Sequence, residues 1–163
     1  MLVKSLFIGV FATLAIDLWA LVLKFSLGIQ KTDWAMVGRW FGHIRRGTFI
    51  HENIARAVPV TGERAIGWIA HYAIGVFYAW AYLFIVVVFL AGRPTLVSAI
   101  AFGLVTLVAP WFVLQPGMGL GIFARRAPNP LIPRLTSFFA HSIFGATMYV
   151  GWRLAEHFVP SGL

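Results

Sequence analysis

The chain has 163 residues, of which 60% are hydrophobic and 11% charged. An ordinary soluble domain is roughly a quarter charged, so a water-soluble fold of this length could not hide its apolar surface, and lipid must be part of its solvent. The formal net charge is +8, but the cations flank apolar runs rather than striping one soluble helix, which argues against nucleic acid as a partner. No cysteine is present, which excludes disulfides, thiolate metal centres, iron–sulfur clusters and covalently attached haem.

The first apolar run extends from Leu6 to about Phe25. It is too long for the hydrophobic region of a signal peptide and lacks a small-residue cleavage site, so it predicts a retained transmembrane helix over about residues 5–26. Asp17 sits in the middle of that span. A carboxylate there costs about 2.5–3.5 kcal/mol on insertion scales, so it must face the bundle interior and find a partner. Thr, Trp or His would make it structural, and a proton or metal would make it functional.

The loop that follows has structure of its own. Thr32 can cap a helix beginning at Asp33, whose charge suits a helix N-terminus. Trp34, Val37, Phe41 and Ile44 then share one face, and Lys31, Arg39, Arg45 and Arg46 can reach lipid phosphates. The pattern predicts a short helix lying in the interface. His43 and His51 follow in the same loop and could join a metal site with Glu52, although solvated loop histidines are commoner.

Three more spans follow, over about residues 64–91, 95–115 and 134–158, with Gly92-Arg93-Pro94 turning the chain between the second and third. Glu63 stands at the start of the second, where negative charge suits the helix dipole. Pro110 should kink the third, and Pro116 with the glycines at 117, 119 and 121 should end it. Two readings of this stretch are a simple helix terminus and a broken helix lining a substrate path, with Gln115 as a polar contact. No Lys-Ser/Thr follows the glycines and no strand precedes them, so this is not a nucleotide loop.

Charge placement orients the spans. Lys24, Lys31, Arg39, Arg45, Arg46, Arg56, Arg64, Arg125, Arg126 and Arg134 fall on one side, against Lys4, Arg93 and Arg153 on the other. The positive-inside rule then places the two basic loops in the cytoplasm and both termini outside, in the periplasm of a bacterial inner-membrane protein.

An internal comparison predicts a duplication. Arg64-Ala-Ile-Gly-Trp-Ile-Ala-His71-Tyr-Ala-Ile-Gly75 aligns without gaps on Arg134-Leu-Thr-Ser-Phe-Phe-Ala-His141-Ser-Ile-Phe-Gly145. The first and third spans align as well, Thr13-Leu14 on Thr106-Leu107 and Leu27-Gly28-Ile29 on Leu120-Gly121-Ile122, although Pro110 stands opposite Asp17. Two repeated hairpins related by an axis along the membrane normal would set His71 and His141 at one depth on parallel helices.

Three readings of that histidine pair are open. In the first, both ligate a b-type haem, Gly75 and Gly145 make room for the macrocycle, and Arg64 and Arg134 meet the propionates. In the second, the imidazoles bind a transition metal, with Asp17 as a further ligand. In the third, both are neutral residues bonding neighbouring helices while the arginines snorkel to the headgroups. No His-Glu-x-x-His, nucleophile elbow or paired Glu-x-x-His iron motif is present, which disfavours a hydrolase or a di-iron oxidase without deciding whether the chain is an enzyme.

Several segments together, Asp17-Leu-Trp19-Ala, Val37-Gly-Arg39-Trp-Phe-Gly-His43, Gly62-Glu-Arg-Ala-Ile-Gly-Trp-Ile-Ala-His71-Tyr and Gln115-Pro-Gly-Met-Gly, resemble a family of small bacterial inner-membrane proteins known as domain of unknown function 2938. The resemblance runs along essentially the whole chain. It implies a bacterial inner-membrane protein and carries no activity with it.

The expected architecture is therefore all-α. It is a single transmembrane domain over residues 1–163, a four-helix bundle of two duplicated hairpins with a short interfacial helix in the first cytoplasmic loop. The leading functional expectation is a membrane redox, haem or metal component. A small solute or proton-coupled transporter and a non-catalytic assembly subunit are the alternatives. The lipid bilayer is the expected partner of such a chain, and a homodimer or larger membrane complex is compatible with it.

Overall fold

The computed structural model describes residues 1–158, so the end of the domain expected over 1–163 lies outside the described residues. The described chain is helical, with no strand among the described residues. Helix α1 (Leu2–Leu27) ends at Gly28, whose left-handed φ of 67° lets its amide donate back to the Leu23 and Lys24 carbonyls. Helix α2 spans Trp34–Ile44. Helix α3 (Glu63–Leu83) continues into a π-helical stretch, Phe84–Phe89. Helix α4 (Leu96–Gly117) opens with a capping box between Thr95 and Ser98 and widens into a second π-helical stretch at Ala109–Leu114. Helix α5 spans Leu131–Phe158.

Three of these helices, Leu2–Leu27, Glu63–Phe89 and Leu96–Gly117, are long and apolar enough to cross a membrane. At about 1.5 Å per residue each exceeds the roughly 30 Å of a hydrocarbon core. Helix α5 is longer still at 28 residues, but Arg134, His141, Arg153, Glu156 and His157 make it more polar. Leu14, Leu18, Phe77, Val97 and Val105 stand exposed on the first, third and fourth helices. Water would not tolerate so many outward apolar side chains, and lipid would.

The chain forms two compact units, with one boundary in the loop after α1 and the other three inside helices. The first takes residues 1–31, 72–106 and the chain from 139 onward. Its core is Ile8, Ala12, Ala79, Tyr82, Leu83, Val86, Ala99, Phe144, Met148 and Ala155. Small residues bring the helices together. Gly9 lies against Gly75 and Val76, Gly75 against Thr13, and Gly103 against Gly145, which also meets Ala99 and Ile100. Such close approaches let backbones share dispersion contacts where lipid supplies no hydrophobic drive. The buried Tyr82 hydroxyl lies 2.8 Å from Ser98 Oγ at the start of α4.

The second unit takes residues 32–71 and 107–138. Asp33, not Thr32, caps α2, accepting from the Ala35 amide at 2.9 Å, so the helix starts one residue later than expected. Helix α2 forms where expected along the chain, with Trp34, Phe41 and Ile44 half-buried. Val37, Gly38 and Trp40 are buried, Gly38 against Glu63 and Gly67, Gly67 against Trp34, and Gly42 against Val60. Two glycines facing each other allow a closer approach than lipid headgroups could match. Arg45 and Arg46, beyond the end of α2, remain exposed.

Candidate functional site

The first candidate centre is in the first unit. Asp17 is half-buried on α1, and the Tyr72 hydroxyl donates to its Oδ2 at 2.9 Å from α3. The expected need for a partner is met, though by a residue type the sequence reading did not consider. An ionised carboxylate accepts only, and a phenol supplies the donor that keeps it hydrogen-bonded away from water.

His141 is bound up in the same unit. Its Nδ1 lies 2.7 Å from Thr106 Oγ1 and 3.3 Å from the Gly103 carbonyl, while Thr106 Oγ1 lies 2.6 Å from that carbonyl. The Thr106 proton is best used on the Gly103 carbonyl, which can only accept. Nδ1 must then carry the imidazole proton and donate to Oγ1, which leaves Nε2 with the lone pair. The space expected beside the glycines is filled by neighbouring helices. A Cβ on Gly75 would run into Thr13, and one on Gly145 into the Ala99 and Ile100 backbone. These glycines serve helix contact, so the macrocycle gap read from the sequence is not formed by them.

His71 belongs to the second unit and is buried among rings. It stacks on Trp34 with centroids 3.8 Å apart and meets the edge of Trp68 at 5.8 Å. Arg134 donates from Nε to the Phe123 carbonyl at 2.8 Å, and Arg64 is exposed. His43 and His51 come together edge to face at 5.0 Å. The His43 Nε2–H reaches the Val58 carbonyl at 2.9 Å, and the His51 Nδ1–H reaches the Gly117 carbonyl at 3.1 Å, while Glu52 is exposed. Among the described residues, no group of three or more His, Asp or Glu is placed to hold a metal ion.

Glu63 finds a role beyond the helix dipole. Arg39 holds its carboxylate in a two-pronged pair, and the Val60 amide adds a third bond at 2.9 Å. The pair fastens α2 to the start of α3.

Gln115 follows the π-helical stretch, in the last turn of α4. It is 7% exposed, and its Oε1 has no hydrogen-bond partner among the described residues. The same holds for Trp111 Nε1 and His51 Nε2, both buried atoms. The end of α4 is tied down by the His51 amide donating to Gly117 and the Ile54 amide donating to Met118, at 2.9 and 3.1 Å. Sequence reasoning marked Gln115 and His51 but missed Tyr72, Thr106 and Trp111. Tyr72 stands next to a marked histidine, and a hydroxyl inside an apolar span was the available signal.

The family described as protein of unknown function DUF2938 matches residues 6–155, and the chain belongs to it. No curated protein and no solved structure matches.

Proposed function

We propose that this member of the DUF2938 family is a four-span bacterial inner-membrane protein that moves a small solute together with a proton, with Asp17 as the group that takes up and releases the proton. The observation that carries this reading is the Tyr72–Asp17 hydrogen bond within the apolar span of α1. An intramembrane carboxylate is costly and is retained for function by default. Protonation converts it from an acceptor into a group that also donates, and removes its charge. The two states then favour different surroundings, and such a difference is what allows a proton to bias a conformational equilibrium.

The fourth span is α5, whose 28 residues suffice for crossing and whose Arg153, Glu156 and His157 lie in its last two turns. Two repeated hairpins are supported by the aligned Gly75 and Gly145, which pack on α1 at Thr13 and on α4 at Ala99 and Ile100. The charge asymmetry supports cytoplasmic basic loops and outward termini. Four helices make a small pathway, so a homodimer is part of the proposal.

The test is reconstitution into liposomes under an imposed pH gradient, with a panel of small solutes and a pH-sensitive dye inside. Solute-dependent proton movement, lost in a folded Asp17→Asn protein, is the expected result. Absence of any solute or proton movement from folded wild-type protein removes the reading.

One observation favours a second reading, the histidine cofactor site. Thr106 fixes the His141 ring and leaves Nε2 as its ligating atom, the orientation that ligand imidazoles require. In that reading His141 is a ligand of a b-type haem or a transition metal. A reduced-minus-oxidised spectrum of protein made in a haem-sufficient host decides the haem form. Sharp α and β bands that vanish in His141→Ala support it, and a flat spectrum of folded protein dismisses it.

A further inference from the structure

The second unit holds a set of buried polar atoms that neither reading uses. Trp111 and Gln115 stand four residues apart on α4, one turn along the same side of the helix. His51 is pinned to the same segment by its ring and its amide, which both bond the Gly117 carbonyl, at 3.1 and 2.9 Å. That ring bond requires a proton on Nδ1, because a carbonyl only accepts, so Nε2 keeps a lone pair. Trp111 Nε1 is a donor, and Gln115 Oε1 and His51 Nε2 are acceptors, and none has a hydrogen-bond partner among the described residues.

Leaving one such atom buried and unbonded is costly, and each calls for an explanation. Three within about two helical turns call for a common one. Between them they offer one donor and two acceptors. The complement is a ligand with two donors and one acceptor in a compact neutral group, and a primary carboxamide has that inventory. Trp111 and Gln115 carry no charge to offset a ligand's, and His51 as the Nδ1–H tautomer offers a lone pair, so the set is matched to a neutral group. Phe123 supplies an apolar wall, with its ring 4.7 Å from Trp111 and 4.9 Å from Phe112. The stretch Ala109–Leu114 is π-helical, a geometry that recurs at functional sites because it widens the turn and re-aims side chains.

We propose that Trp111, Gln115 and His51 form a binding site for a small neutral primary carboxamide. Gln115 and His51 accept from its NH2 group, and Trp111 donates to its carbonyl. The site is an equilibrium binding site and does not depend on proton coupling.

Benzamide is the probe, titrated against detergent-purified full-length protein with no gradient and followed by saturation-transfer NMR. Saturable binding is expected, at least tenfold weaker in both Gln115→Leu and Trp111→Phe, and displaced by neither benzoate nor toluene. Gln115→Leu should keep or raise the melting temperature, since it removes an unbonded carbonyl. If that variant fails to fold, Gln115→Met with Trp111→Phe serves in its place. Lack of saturation by folded wild-type protein, binding that survives both substitutions, or equal displacement by toluene would each overturn the proposal. Because no transport is measured, failure of the carrier reading leaves this result intact, and the reverse also holds.

Discussion

Arg39 grips Glu63 with two parallel hydrogen bonds, Nε to Oε2 at 2.9 Å and Nη2 to Oε1 at 2.8 Å. Its remaining nitrogen, Nη1, reaches the carbonyls of Ile54, Ala55 and Ala57, each at 3.2 Å. The hydrogen bond to Glu63 raises the guanidinium above its already high ordinary pKa, so the arginine stays charged at any working pH. One planar cation thus joins α2, the 54–57 turn and the start of α3. A lysine cannot reproduce the fork. Arg39→Lys is expected to cost about 1–3 kcal/mol, seen as a lowered melting temperature in detergent. An unchanged melting temperature would show that the pair contributes nothing.

Gly38 and Gly67 make a similar demand on the backbone. A Cβ on Gly67 would enter the Trp34 carbonyl, and one on Gly38 the Glu63 carbonyl. Backbone cannot step aside as a flexible side chain can, so Gly67→Ala should push α2 off α3 at a cost of about 1–3 kcal/mol. Limited trypsinolysis at the exposed Arg45 and Arg46 is the readout, with faster cleavage expected in the variant.

Tyr72→Phe keeps the ring and removes the donor to Asp17. The carboxylate then loses one hydrogen bond while its proton chemistry survives. The proton flux described above should fall roughly tenfold, about 1.4 kcal/mol in barrier terms, whereas Asp17→Asn should abolish it. Equal loss from both variants would make Tyr72 a proton-handling group in its own right.

Thr106→Val is nearly isosteric and removes both the acceptor for His141 Nδ1 and the donor to Gly103. A loss of about 1–2 kcal/mol is expected. Nitrogen-15 NMR of labelled His141 gives the more direct readout. The wild-type ring should show the Nδ1–H tautomer, and the variant a shift toward Nε2–H. An Nε2–H tautomer in the wild type would reverse the hydrogen-bond directions assigned to this cluster.

The long helices were legible because each needs only an uninterrupted apolar run, and that information is local. The predicted start of the second span at residue 64 lies one residue from the observed Glu63, and its predicted end at 91 lies two beyond Phe89. What the glycines do was not legible. Gly75 and Gly145 were read as gaps because a missing side chain suggests space, but Thr13 and the Ala99–Ile100 backbone fill that space from distant parts of the chain. Which side of α2 meets α3 was not legible either: Gly38 against Gly67 sets that contact, while Trp34, Phe41 and Ile44 stay half-buried. The π-helical stretch Phe84–Phe89 carries neither Pro nor Gly, so nothing in its composition announces the wider turn. Asp17 advertised its need for a partner, but the identity of that partner depended on how α1 meets α3.

After the end of α4 the chain runs through left-handed backbone at Gly119 and Gly121, then again at Phe123 and Ala124, with φ values of 54° and 51°. Glycine adopts that conformation freely, and an alanine there is strained by roughly 1 kcal/mol. Elsewhere the fully buried alanines, Ala12, Ala79, Ala99 and Ala155, sit inside helices, where glycine is the worse residue by about the same amount. Ala91 is left-handed as well, with φ 47°. An alanine-to-glycine scan of this protein should therefore change sign at Ala91 and Ala124, improving detergent lifetime there while the helical positions shorten it. For anyone preparing the protein for crystals or grids, that makes these two the first positions to change.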